Sequence, residues 1–277
     1  MNAKTKQALV AAVLVAVPVG LGATAHAMHI GSATLIGSDV DSDTLFEIDL
    51  GTAALTFIGP LGDPVVASLT WDPGNSILYG SSTSTNSLLI IDPGTGDVTL
   101  VGAFGLTLMH AIDYQSNTGT LYGMSTSTSS LYTINTVTGL ATLVGSSGIT
   151  VGGMAYDPIN DIMYATDAGP DGSTGLYTID LDTGAGTFVG SFDHPAVEQM
   201  TGLAFDPILG LYGTDNGLFF GAVNQLFRIN AGSGEATLVG DLNDGNFLGL
   251  TFIPGPPALV VLMLGGWTCG GRRRRTG

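Results

Sequence analysis

One unit of forty-odd residues is written five times in this chain, and nothing else limits its fold as tightly. The copies run 35–77, 78–120, 121–162, 163–210 and 211–253, with lengths of 43, 43, 42, 48 and 43 residues. A Leu-Tyr-Gly element opens them, as at Leu78-Tyr79-Gly80, Leu121-Tyr122-Gly123 and Leu211-Tyr212-Gly213. The first copy has Leu35-Ile36-Gly37 there, and the fourth has Met163-Tyr164-Ala165. An Ile-Asp or Ile-Asn pair follows (Ile91-Asp92, Ile134-Asn135), then Leu-Val-Gly (Leu100-Val101-Gly102, Leu143-Val144-Gly145). A short apolar run ending in Asp comes last (Met154-Ala-Tyr-Asp157, Leu203-Ala-Phe-Asp206). Such a unit cannot bury its own apolar face, so neighbouring copies must stack into one domain.

Four short strands fit each period. Near the second copy they are expected at Ser87–Ile91, Val98–Val101, Met109–Asp113 and Thr120–Gly123, from aliphatic runs and alternation. The apolar run, flanked by small residues, suits the crowded centre of a ring. The sequence thus predicts an all-β, five-bladed β-propeller with four strands in each blade. Its phase makes a further demand. The repeat begins with outer strands at Leu35 and ends with an inner strand, 249–253, so the C-terminal strand should complete the N-terminal blade and close the ring. An open β-solenoid is the structural alternative. With 42 Gly and few charges, the composition agrees with a turn-rich hairpin protein.

Charge is segregated along the chain. Lys4 and Lys6 lie at one end and Arg272, Arg273, Arg274 and Arg275 at the other, leaving Arg228 alone against 23 acidic residues. A body that acidic repels nucleic acid and anionic lipid. The first 27 residues read as a secretory signal peptide: a basic start, an apolar stretch from Ala8 to Leu21, and a cleavage site at Ala25-His-Ala27. The mature chain is therefore expected to begin at Met28, with a propeller over 28–253. The single cysteine, Cys269, lies in the C-terminal tail, so the body holds no disulfide and its stability must come from burial.

Residues 254–277 form a separate segment. Pro254-Gly255-Pro256 is followed by an apolar stretch, Ala258 to Trp267, and then by the four arginines. That stretch is short for a membrane span, and the arginines would hold the tail on the cytoplasmic side. This order of elements resembles the PEP-CTERM sorting signal of Gram-negative envelope proteins, with Gly255 in place of the family's central Glu. The resemblance implies recognition by an exosortase-like enzyme, as the N-terminal pattern implies recognition by signal peptidase. It also implies an envelope or extracellular-matrix location in a Gram-negative-type bacterium, with membrane contact only through the unprocessed tail. A plain membrane anchor is the alternative. The body's Gly202-Leu-Ala-Phe-Asp-Pro207 and Leu211-Tyr-Gly213 rhythm resembles NHL-type propellers. A WD-repeat reading fails, because Trp71-Asp72 occurs once and in the inner-strand position.

The repeat also sorts candidate sites. Recurring Asp-Pro pairs (Asp72, Asp157, Asp206) and Asp-x-x-Thr-Gly groups (Asp92, Asp180) fall between adjacent strands, where Asp caps turns. Residues that do not recur fall mostly on the opposite loop face. The ligand-face candidates are Asp63, His110, Asp167, Asp171, His194, Glu198, Asp215, Phe219, Phe220 and Asp244. Asp39, Asp41 and Asp43 alternate in the first such loop, a spacing from which carboxylates can converge on Ca²⁺, the one cofactor the pattern admits. No residue is assigned a catalytic role. Some five-bladed propellers are glycosidases, but that chemistry needs two carboxyl groups at a set separation. Here only Glu198 sits well at an inner-strand start. The sequence therefore points to a non-catalytic binding or structural module whose partner is an extracellular polysaccharide or surface protein. A secreted glycosidase or lyase acting at the channel mouth is the alternative.

Overall fold

A computed structural model describes residues 33–62, 65–169, 174–215, 224–242 and 245–255. The signal peptide, including Ala25 and Ala27, and the tail from Pro256 onward, including Arg272–Arg275, lie outside the described residues. So do Asp63, Asp171, Phe219, Phe220 and Asp244.

The chain forms five four-stranded antiparallel sheets. The first blade contains β1 (Ala33–Asp39), β2 (Thr44–Ile48) and β3 (Leu55–Pro60). Three complete blades follow: β4 (Val66–Asp72) to β7 (Val98–Ala103), β8 (Met109–Gln115) to β11 (Ala141–Ser146), and β12 (Val151–Asp157) to β15 (Gly186–Ser191). The fifth runs from β16 (Met200–Asp206) to β19 (Ala236–Asp241), and β20 (Phe247–Pro254) ends the described chain. Inside the second to fourth blades lie β5 (Ile77–Ser82), β6 (Ser87–Ile91), β9 (Thr120–Ser125), β10 (Ser130–Ile134), β13 (Ile162–Asp167) and β14 (Gly175–Ile179). The fifth contains β17 (Gly210–Asp215) and β18 (Gln225–Ile229). β20 pairs antiparallel with β1, Leu35 opposite Phe252 and Gly37 opposite Leu250. The C-terminal strand is thus the innermost strand of the N-terminal blade, and the inner strands β4, β8, β12, β16 and β20 neighbour one another around a closed ring. The fold is a five-bladed propeller.

Each recurring motif has a place in the joint between blades. Leu-Val-Gly lies on the outermost strand, where the Val (Val101, Val144, Val189, Val239; Ile58 in the first blade) is the extra residue of a β-bulge. The following glycine meets the Thr-Gly turn of the next blade, backbone against backbone. A Cβ on Gly102 would overlap the Thr138 carbonyl, and one on Gly139 would overlap Gly102. Gly139 also has φ +78°, so it serves both a left-handed turn and a close approach. The pattern repeats at Gly59 with Gly96, Gly145 with Gly184, and Gly190 with Gly234. The fifth joint, between the last blade and the first, pairs Gly240 with Ala53 at φ +58°. The tyrosine of Leu-Tyr-Gly packs within the same joints: Tyr212 clusters with Leu50 and Leu55 of the first blade, and Tyr164 with Ala231 of the fifth.

The turn carboxylates act locally. Asp92 Oδ1 accepts the Gly94 and Thr95 N–H groups at 2.8 and 3.0 Å, and Asp180 Oδ1 those of Asp182 and Thr183 at 3.0 and 2.8 Å. Asp72, Asp157 and Asp206 cap the Asp-Pro-face turns in the same way. The strands expected at Val98–Val101, Met109–Asp113 and Thr120–Gly123 each start at the observed residue but end two residues before the observed strand does, while Ser87–Ile91 is matched at both ends.

Candidate functional site at the channel mouth

Every inner strand begins with a β-bulge against its neighbour. The extra residues are Ala67, His110, Thr201 and Leu248, and Gly152 with Gly153 in the fourth blade. Bulges re-aim side chains. Here His110, Thr201 and Leu248 are brought together with Val151 around one cavity of about 160 Å³, completed by Thr126, Thr150, Ala168 and Gln199. Small residues let the inner strands come this close: a Cβ on Gly153 would lie 2.7 Å from the Leu203 nitrogen.

The cavity lining is uncharged. His110 Nδ1 lies 3.0 Å from the Gly152 carbonyl, which can only accept, so Nδ1 carries the proton and Nε2 is left as an acceptor. Burial pushes the His110 imidazole below the usual histidine range, and the bond to Gly152 only partly opposes this, which favours the neutral ring. Gln199 Nε2 donates to the Ala168 carbonyl at 2.6 Å, which fixes the amide and leaves Oε1 as a second acceptor.

Two of the ligand-face carboxylates hold the backbone of lining residues. Asp167 Oδ1 accepts the Thr150 and Gly169 N–H groups at 3.1 and 3.0 Å. Asp215 accepts the N–H groups of Glu198 and Gln199 at 2.8 and 2.9 Å. Asp39, at the matching position of the first blade, accepts the Asn246 N–H at 2.7 Å, the Asp41 N–H at 3.1 Å and the Ser42 hydroxyl. In the third blade Ser125 takes this place, donating to the Thr107 carbonyl at 2.9 Å. Asp39, Asp167 and Asp215 are therefore one recurring device, which ties the loop before the inner strand to the end of the next strand. Asp41 Oδ1 is 3.4 Å from Asn246 Nδ2, and Asp43 adopts φ +51° with its Oδ1 buried and unpaired. Among the described residues no three acidic, His or Cys side chains converge in a way that would hold a metal ion.

His194 is placed elsewhere. Its ring packs edge-on against Phe227 at 5.1 Å, and its Nδ1 accepts the Ala196 N–H at 3.2 Å, so it stabilises its own loop. Glu198 is half-buried, with Oε2 unpaired. Thr126, Thr150, Gln199 and Thr201 were not singled out by the sequence. Aligning the five inner-strand starts picks out Thr201 beside His110, but the loop residues carry no repeat signal of their own.

Further along the same strand, Asp113 joins three blades. Its carboxylate accepts the Thr70 hydroxyl on β4 and the Tyr156 N–H on β12. Burial pushes its pKa up to about 6, against the opposing effect of the Thr70, Tyr114 and Tyr156 hydrogen bonds.

Comparison with known proteins agrees on architecture. A chain from the crystal structure of a nidogen/laminin complex matches with a TM-score of 0.58 at 13% identity, covering 80% of this chain and 98% of that one. A PQQ-bound aldose sugar dehydrogenase from Streptomyces coelicolor matches at a TM-score of 0.47 and 16% identity, covering 70% of this chain and 74% of the other. No protein-family model matches the chain, and no curated protein matches its sequence. The likeness is one of fold: the chain is a propeller with an uncharged cavity at its loop-face mouth.

Proposed function

We propose that this protein is an exported propeller of the cell envelope or extracellular matrix, acting as a non-catalytic binding or structural module and sorted through its C-terminal segment. The observation that carries the binding role is the division of labour on the loop face. Asp39, Asp167 and Asp215 accept backbone N–H groups, those of the lining residues Thr150 and Gln199 among them, and the cavity itself is lined without charge. An acid–base pair is not what this arrangement offers; a rigid recognition surface is. The N-terminal pattern ending at Ala27 supports export, and the Pro-rich, apolar, basic order of 254–277 supports sorting by an exosortase-like enzyme.

The test is an array of glycans and extracellular proteins probed with the full chain. Saturable binding without product formation is expected. Turnover of any arrayed glycan, lost in Glu198→Gln, would replace this reading with the carbohydrate-active enzyme, which the unpaired Glu198 Oε2 favours. N-terminal sequencing of exported protein is expected to begin at Met28. A mature chain that keeps Lys4 and Lys6 contradicts cleavage.

A further inference from the structure

The chemistry of the mouth cavity narrows what it can bind, given that it is a binding site at all. Its volume of about 160 Å³ is close to the roughly 150 Å³ of a cavity that admits benzene, so it takes one side of a six-membered sugar ring, whose remaining substituents stand outside it. Two acceptors, His110 Nε2 and Gln199 Oε1, are set by the bonds their partner nitrogens make to Gly152 and Ala168. Thr126 and Thr150 line the same space. Val151 and Leu248 supply an apolar wall.

Three ligand classes fit poorly. A purely apolar ring would strand the two acceptors. An anion meets no cationic side chain in the lining and enters the field of a strongly acidic body. A hard cation wants several carboxylate or carbonyl oxygens, and no carboxylate lines the cavity. A neutral ring that carries hydroxyl groups on one side and C–H groups on the other satisfies every wall.

We propose that the channel mouth holds one neutral pyranose ring: its hydroxyls donate to His110 Nε2 and Gln199 Oε1 and exchange hydrogen bonds with Thr126 and Thr150, while its C–H face rests on Val151 and Leu248. The ring is the terminal residue of a glycan.

The test titrates the full chain with D-glucose, D-galactose, D-mannose and L-fucose, with D-glucuronate, and with oligosaccharides ending in each neutral sugar, by calorimetry and saturation-transfer NMR. At least one neutral sugar is expected to saturate one site, glucuronate binding at least about 10-fold more weakly. Thr150→Val is expected to weaken binding about 10-fold, the equivalent of one lost hydrogen bond, with an unchanged melting midpoint. His110→Ala is expected to abolish it. An oligosaccharide that binds as well as its free terminal sugar places the recognition in this one ring. The proposal is overturned if no neutral sugar saturates, or if both variants bind as the parent does. Array binding that survives both variants keeps the binding-module reading and removes this cavity from it. Silence on the array as well removes both.

Discussion

The joint between blades offers the sharpest test of how this sequence makes a ring. Gly139 has φ +78°, and a Cβ there would lie 2.5 Å from the Gly102 carbonyl carbon and 3.0 Å from its Cα. Neither atom is the end of a flexible side chain, so Gly139→Ala must either push neighbouring blades apart or distort a turn. The left-handed conformation alone costs an L-residue roughly 1–2 kcal/mol. Forcing a methyl group into a packed contact adds about 1–3 kcal/mol. The expected loss is therefore about 2–5 kcal/mol in urea unfolding, read as a lower midpoint at constant slope. The fifth joint supplies the control. Ala53 already carries a buried Cβ at φ +58°, opposite Gly240. Ala53→Gly relieves about 1 kcal/mol of backbone strain and gives up about 0.8 kcal/mol of methyl burial, so it should change stability little. A Gly139→Ala variant as stable as the parent, or an Ala53→Gly effect as large as that of Gly139→Ala, would refute the backbone-contact account of the joint.

Asp113→Asn tests the buried carboxylate. Its folded-state pKa of about 6 lies above the ordinary 3.8, so the folded protein binds the proton more tightly, and the parent should lose stability as pH rises from about 4 to 6. The variant should lack this component, its stability rising relative to the parent by at most about 3 kcal/mol across that window; parallel pH profiles would contradict the assignment. Asp39→Ala leaves the buried Asn246 N–H without its carboxylate and should cost about 1–3 kcal/mol, whereas Asp41→Ala, at an exposed position, should cost far less. Equal denaturation midpoints for the two variants would show that Asp39 does not brace the loop.

Much of the ring is legible in the sequence because the repeat reports both strand content and phase. The strand expected at 249–253 has to be innermost, since a repeat that opens on outer strands at Leu35 leaves the first blade without an inner strand until the chain's last one supplies it. Asp92 and Asp180 are legible as turn residues because recurrence argues against a site used once. The bulges are not legible. A bulge is a property of paired registers, and neither Val101 nor His110 announces the extra residue from its own strand. The cavity escapes for a related reason: Thr126 and Thr150 lie on two loops of the third repeat unit and Gln199 on a loop of the fourth, and they meet only once the ring closes. His194 and Glu198 look alike in sequence, as titratable residues of one variable loop. Only packing separates them, Phe227 capturing the imidazole while Glu198 stays half-buried with Oε2 unpaired. The acidic Asp39, Asp167 and Asp215 resemble ligands in sequence because charge on a loop face suggests recognition. Their position at the same strand end in three units is visible there, but their backbone partners are not.

The central claim is that recurring residues build the ring while the channel mouth does the binding. It is tested most directly by comparing two variants of the full chain on the same glycan array, His110→Ala at the mouth and Asp180→Ala on the turn face. The account predicts that His110→Ala loses binding and Asp180→Ala keeps it, although both melt lower, His110→Ala through the lost bond to the Gly152 carbonyl. Binding lost in Asp180→Ala but kept in His110→Ala would contradict it.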